Sequence, residues 1–422
     1  MSDPDAVDFF RDNSLIADPY PYYAQLRERC PVHREPHHDV VMVTGYDEAA
    51  QVFSDSDTFS SATSVTGPFP GFPVPLEGED VSALIEAHRD ELPMADQIIT
   101  MDPPEHTNNR ALLMRLLTPA RLRENELAME HLADRQIEEF IDSGSCEFMR
   151  DFAGPFTMFV IADLLGVPEE DHPRFRRALR REGSAPIGGT EDEALEQNPL
   201  EFLYEAFSDY IAERRTNPRN DVLTGLAAAT YPDGSIPTPG DVARLASNIF
   251  AAGQETTARL LSSSMMIIAE RREVQQALRA DPGKLTAFVE ESLRYESPIK
   301  GDFRLSKVGT SVGGVPIPAG TTVMVVNGAA NRDPRKFDSP EEFRLDRANA
   351  RQHLAFGRGV HTCPGGPLAR AEGRIGIERL LARTSDIRIS EEHHGPADAR
   401  RYSYAPTYIL RGLNSLHLEF TL

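Results

Sequence analysis

"FGRGVHTCPG", residues 356–365, sets three glycines and a proline around one thiol, Cys363, with His361 two positions before it. Glycine gives such a loop unusual backbone freedom. The following "GGPLARAEGRIGIERLLAR" reads as a helix opened by glycine and proline. Cys363 therefore sits beside a helix N-terminus, where unsatisfied N–H groups and the dipole favour negative charge. An isolated cysteine is ordinarily core filler. This setting instead favours a reactive or metal-binding thiolate, with His361 as the available base if the sulfur were a nucleophile.

Lys and Arg total 44 against 66 Asp and Glu, a net charge of −22, which opposes general affinity for nucleic acid or anionic membranes. The three cysteines, Cys30, Cys146 and Cys363, are odd in number and scattered, so a reducing, cytoplasmic setting fits better than a disulfide framework. The N-terminus lacks the basic-then-apolar order of a signal peptide. The longest uncharged stretch, Val308 to Asn331, is interrupted by Gly, Pro, Ser and Thr, so no membrane span is expected.

With no repeat and no obvious linker, residues 1–422 read as one domain. The expected class is mainly α: a large helical domain with a small β-rich region. "EFLYEAFSDYIAERR" and "LTAFVEESLRYE" carry helical apolar spacing, and "DVVMVTGYDEAAQVF" reads as strand, glycine turn and helix. Thr238, Pro239 and Asp241 form a helix start, from which a helix of about 45 Å runs to near Ala269. Short β segments are expected in "TSVGGVPIPAGTTVMVVNGAAN" and "YILRGLNSLHLEF". Two irregular stretches, residues 61–78 and 181–199, are long for loops. The first is apolar enough to suggest contact with a hydrophobic ligand.

"FGRGVHTCPGGPLAR" resembles the cysteine-ligand loop of the cytochrome P-450 superfamily, the haem-thiolate monooxygenases. Phe356, Gly357, Arg358, Gly359, His361, Cys363 and Gly365 stand in that family's places. The resemblance implies heme b with Cys363 as the axial iron ligand. Pro364 departs from the pattern by removing an N–H donor near the sulfur.

Three further segments follow in the family's order, and the resemblance extends from about residue 15 to the C-terminus. In "AAGQETTARLL" the small Ala251, Ala252 and Gly253 let a flat cofactor and a substrate approach the helix. Glu255 and Thr256 resemble the family's acid and alcohol pair, which delivers the two protons that reduction of O2 requires. Glu291 and Arg294, three apart on one helix face, resemble a structural pair on the proximal side of the haem. Its usual third arginine is replaced by Glu342 in "SPEEFRLDR", leaving Arg344 or Arg347 as substitutes. His106 and Arg110, four apart in "DPPEHTNNR", resemble residues that grip the haem propionates, as do Arg304 and His361.

The implied reaction inserts one atom of O2 into a hydrophobic small molecule such as a terpenoid, steroid or lipid. Candidate substrate contacts are Phe69, Phe72, Asn248, Ile299, Phe303, Pro406 and Thr407. Lys300 and Asp302 are expected to point to water, since charges are rarely buried unpaired. No flavin, nicotinamide or iron–sulfur region is visible, so a separate ferredoxin and its reductase are expected to supply electrons to a monomer. A docking face is expected at Arg110, Arg115, Arg121, Arg123, Arg358 and Arg370. A peroxide-driven peroxygenase or a haem sensor are the rival readings; neither needs Glu255 and Thr256.

Overall fold

The computed structural model describes residues 3–114, 117–179 and 201–422. The irregular stretch 181–199 and Arg115 lie outside the described residues. The central element is the helix Pro239–Glu270. It begins at a capping box: the Thr238 hydroxyl accepts from the Asp241 N–H, and the Asp241 carboxylate accepts from the Thr238 N–H. From Thr257 to Ile268 every residue of it is buried, the mark of a helix surrounded by protein.

The helices Gly154–Leu165, Glu201–Thr216 and Gly366–Arg383 pack on the central one, and Pro119–Glu138 covers the outer side of Gly366–Arg383. Phe152, Phe156, Phe207 and Phe250 are fully buried among them, each such side chain contributing roughly 1.5–3 kcal/mol. Gly376 makes the approach of Gly366–Arg383 possible: a Cβ there would stand 3.3 Å from Leu261 and from the rings of Phe152 and Phe156.

On the other side lies a five-stranded sheet in the order Val32–Arg34, Val41–Val43, Thr322–Val325, Asp302–Ser306 and Phe59–Ser60. Val41–Val43 and Thr322–Val325 pair in parallel, and the other neighbours are antiparallel. The parallel pair is the most apolar part of the sheet, as burial on both faces demands. Arg304 stands opposite Val323 in this sheet. The hairpin Thr310–Val312 with Val315–Ile317 turns on Gly313 and Gly314, both at positive φ. A three-stranded sheet joins Ser145–Glu147, His417–Thr421 and Asp386–Ile389.

Two β expectations need correction. Asn327–Ala330 is a short helix, and in "YILRGLNSLHLEF" only His417–Thr421 is a strand. The earlier part makes the isolated bridges Ile299 to Leu410 and Tyr404 to Leu413. The chain there closes over Arg259, because a Cβ at Gly412 would come 2.6 Å from the Arg259 Cγ. Among the described residues no helix is long and apolar enough to cross a membrane.

Candidate active site

The cysteine loop is held by its own backbone. The Cys363 N–H donates to the Phe356 carbonyl at 2.9 Å, and the Thr362 N–H to that of Gly359 at 3.1 Å. Gly357 and Gly359 both have positive φ, and a Cβ on Gly359 would lie 2.4 Å from the Phe53 carbonyl oxygen. Gly359 thus seats the loop against the end of the helix Tyr46–Ser54.

Cys363 is exposed as a residue, while its thiol is desolvated by the surrounding fold. Burial in the fold pushes its thiol up, while the N–H groups of Gly365 and Gly366 and the charges of Arg110 and Arg370 pull it down without reversing the shift. A metal cation bonded to the sulfur would favour its thiolate form, and iron is such a cation. Pro364 leaves both donors in place, since they come from the two residues after it.

Beside this loop four nitrogen-bearing side chains converge. The ring of His106 is buried and lies 4.0 Å from that of His361. Arg110, from the same helix Glu105–Met114, donates to the Thr362 carbonyl. Arg304 reaches in from the sheet, over the Phe53 ring. Ser61 pairs with His361 Nε2 at 3.1 Å. Burial, then Arg110, pushes His106 down to about 4; burial, then Arg304, His106 and Arg110, pushes His361 down to about 2. Asp102 is committed elsewhere, to Arg89, the Ser60 hydroxyl and the Ser61 N–H.

Two guanidiniums and two neutral imidazoles thus face one place with no carboxylate spare for them among the described residues, where the buried Nδ1 of His106 also has no partner. A group carrying two carboxylates fits such a cluster. Haem, with its two propionates, meets that requirement and the sulfur's need for a cation together.

On the central helix the Thr256 hydroxyl donates to the Ala252 carbonyl at 2.7 Å. Glu255 pairs with Arg259 at 2.5 Å and keeps its side chain 45% exposed. Ala252 is exposed, but a Cβ on Gly253 would meet Ile161 at 3.4 Å. Gly253 thus faces the helix Gly154–Leu165 at ordinary van der Waals distance. Thr157 on that helix, which no local motif singles out, donates its hydroxyl to the Gln254 carbonyl.

Glu291 and Arg294 are completely buried and joined twice, at 2.8 and 2.7 Å. Arg347 completes the group, its Nε donating to both Glu291 oxygens at 3.0 and 3.1 Å. Arg344 contributes its backbone N–H to Glu291, while its side chain pairs with Asp338 and Asp346 outside. Glu342 also belongs to the assembly, through a carbonyl that accepts from Arg294 and Arg347.

Over 393 aligned residues the chain is 34% identical to cytochrome P450 144 of Mycobacterium tuberculosis, covering 92% of this chain and 87% of that protein. The chain belongs to the cytochrome P450 superfamily. The Cytochrome P450 family model matches residues 284–388, which hold the buried Glu291 group and the cysteine loop. The 6-deoxyerythronolide B hydroxylase of Saccharopolyspora erythraea is 32% identical, with 96% of each chain covered. The solved structure of substrate-free Mycobacterium marinum cytochrome P450 CYP150A6 superposes with a TM-score of 0.93 at 54% identity over 99% of each chain. The protein is thus a cytochrome P450 monooxygenase of bacterial type, a haem-thiolate enzyme with a half-helical fold and small sheets.

In this cytochrome P450 the substrate-side candidates divide. Phe69 and Phe303 pack with Phe10 and Tyr408 in an aromatic cluster. Phe72 folds onto the small core of Val81 and Ile85. The Thr407 hydroxyl accepts from the N–H groups of Ile409 and Leu410, Pro406 is exposed, and Ile299 bridges to Leu410. Asn248 retains a buried amide nitrogen without a partner among the described residues.

Asp302 is half-buried and accepts from Asn327. Lys300 is buried, contrary to expectation, at 5% exposure. Of the docking candidates, Arg110 donates to the cysteine loop, Arg370 pairs with Glu290 and lies over the Phe356 ring, and Arg121 is half-buried. Arg123 and Arg358 stand exposed.

Proposed function

We propose that this cytochrome P450 oxidises an apolar small molecule, with electrons delivered by a separate ferredoxin, and that residues 1–422 work as one catalytic domain. The observation carrying the site assignment is the anion-seeking cluster of His106, Arg110, Arg304 and His361 beside the Cys363 loop. Cys363 is the iron ligand in this proposal, and those four side chains hold the propionates. Phe356, Gly357, Arg358, Gly365 and Ala252 border the cofactor.

When bound, the haem supplies reductive activation of O2 and transfer of one oxygen atom to a C–H bond. The chain's part is to move protons and exclude water. Thr256, whose own hydrogen is given to the Ala252 carbonyl, presents its oxygen as an acceptor that positions a water. Glu255, half open to solvent and steadied by Arg259, relays protons to it. Replacing Thr256 by Ala then lowers product formed per O2 consumed and raises released peroxide, leaving the rate of reduction unchanged.

The buried Asn248 amide, without a partner among the described residues, supports a substrate with a polar handle. For the donor, exposed Arg123 and Arg358 are the local exception on a chain of net charge −22. Turnover should require O2 and a ferredoxin with its reductase, and charge reversal at Arg123 and Arg358 should slow reduction about tenfold and flatten its salt dependence. Equal turnover with peroxide alone would favour a peroxygenase, and reduction rates indifferent to both reversals would remove the docking face.

A further inference from the structure

Glu290, on the helix Leu285–Tyr295, is buried and draws three nitrogen-bearing side chains to itself. Arg370 donates to it from Nε at 2.7 Å and Nη2 at 3.2 Å, His353 from Nε2 at 3.1 Å, and Arg351 pairs with it at 3.3 Å. The Ala355 N–H donates to His353 Nδ1 at 3.1 Å, so the ring is neutral with its hydrogen on Nε2. One carboxylate thus meets two guanidiniums, and a positive charge is left over. Arg351 is 75% exposed and screened by water, whereas the Arg370 side chain is only 26% exposed. The surplus is therefore felt at Arg370.

Arg370 stands near the start of the helix Gly366–Arg383, which follows Cys363. Its guanidinium carbon is 4.5 Å from the centre of the Phe356 ring, within the range of a cation–π contact. Its Nη1 also crowds Gly366, where an added Cβ would come within 3.1 Å of it. Both of these neighbours act on the cysteine: the Phe356 carbonyl accepts from the Cys363 N–H, and the Gly366 N–H faces the thiol. An ion pair that only joined two helices could sit anywhere along them. This one lays its cation against the two residues that hold Cys363.

We propose that Arg370 is a positioning residue that sets the reduction potential of the iron held by Cys363, its guanidinium favouring the added electron and Glu290 opposing it. A positive charge beside a thiolate ligand withdraws part of the electron density that the sulfur gives the metal. Charge and hydrogen bonding outside the ligands are among the means by which a protein adjusts such a potential. Glu290 carries the opposite sign. The two partners therefore act oppositely on the iron, although loss of either breaks the same pair. The inference rests on Cys363 as the axial ligand.

The experiment is an equilibrium redox titration of the haem-loaded protein at pH 7 with mediator dyes, for the wild type, Arg370→Gln, Arg370→Lys, Glu290→Gln and Arg351→Gln. Arg370→Gln should move the reduction equilibrium about tenfold toward the oxidised form, about 59 mV for one electron, and Glu290→Gln should move it the other way. Arg370→Lys should restore most of the wild-type value, and Arg351→Gln, screened by solvent, should stay within about twofold of it. The infrared C–O stretch of the reduced carbonyl complex should fall in Arg370→Gln and rise in Glu290→Gln, because a sulfur freed of the cation donates more through iron to bound CO. Should Glu290→Gln fail to retain haem, the contrast between Arg370→Gln and Arg370→Lys carries the test. Shifts of one sign in Arg370→Gln and Glu290→Gln, an unchanged potential in Arg370→Gln, or an equal loss in Arg370→Lys would overturn this inference alone. An unshifted carbonyl Soret band in the wild type would overturn the ligand assignment and this inference with it.

Discussion

Glu291 shows how closely a single side chain can be specified. It is fully buried and accepts from Arg294, Arg347 and the Arg344 N–H at once. Glu291→Gln leaves two guanidiniums without a counter-charge and should cost about 3–5 kcal/mol, read as a lowered denaturation midpoint and faster haem loss. Arg344→Ala, on the outside of the same turn, should stay within about 0.5 kcal/mol. The spacing of Glu291 and Arg294 was legible because both lie on one helix turn. Arg347 was not separable from Arg344, because which arginine enters depends on how the loop 338–346 folds. Lys300 was misjudged for a related reason: burial of a charge is set by the tertiary surroundings, and those include residues over a hundred positions away.

At the scale of elements, the central helix was almost completely legible. Its capping box, first-turn proline and small residues are all local signals, and the observed Pro239–Glu270 ends one residue beyond the expected boundary. Thr238→Ala should cost about 1 kcal/mol in chemical denaturation through loss of the cap. The cysteine loop is less forgiving. Gly359→Ala combines positive φ with a Cβ 2.4 Å from the Phe53 carbonyl oxygen, so it should displace the loop and lower the fraction of protein that retains haem. What the local pattern misjudged were elements decided by distant contacts. The segment at Lys300 is bonded to Ile409, and the C-terminal strand is interrupted where Gly412 meets Arg259. None of these partners lies within one helical turn in sequence.

For the whole molecule, acid should act through the buried cluster around Glu290. Burial alone would raise this carboxyl, but hydrogen bonds from His353 and Arg370 hold it down to about 2. A depressed carboxylate stabilises the fold above its ordinary value of 4.5, and that stabilisation is lost as the pH falls from there toward 2. The full effect is about 3 kcal/mol. Glu290→Gln should therefore be less stable than the wild type at pH 7 and should lack most of the wild type's decline between pH 4.5 and 2, measured by denaturation midpoints across that range. The cluster ties the helix Leu285–Tyr295 to the helix that follows Cys363, through Arg370, so its failure should release haem together with the fold.

The central claim is that Cys363 holds haem iron as a thiolate while His106, Arg110, Arg304 and His361 grip its carboxylates. The most direct test is the absorption spectrum of the purified, reduced protein under carbon monoxide. A strongly red-shifted Soret band that is lost in Cys363→Ala is the predicted result. A protein that takes up no haem, or an unshifted carbonyl band indifferent to Cys363→Ala, would contradict the account.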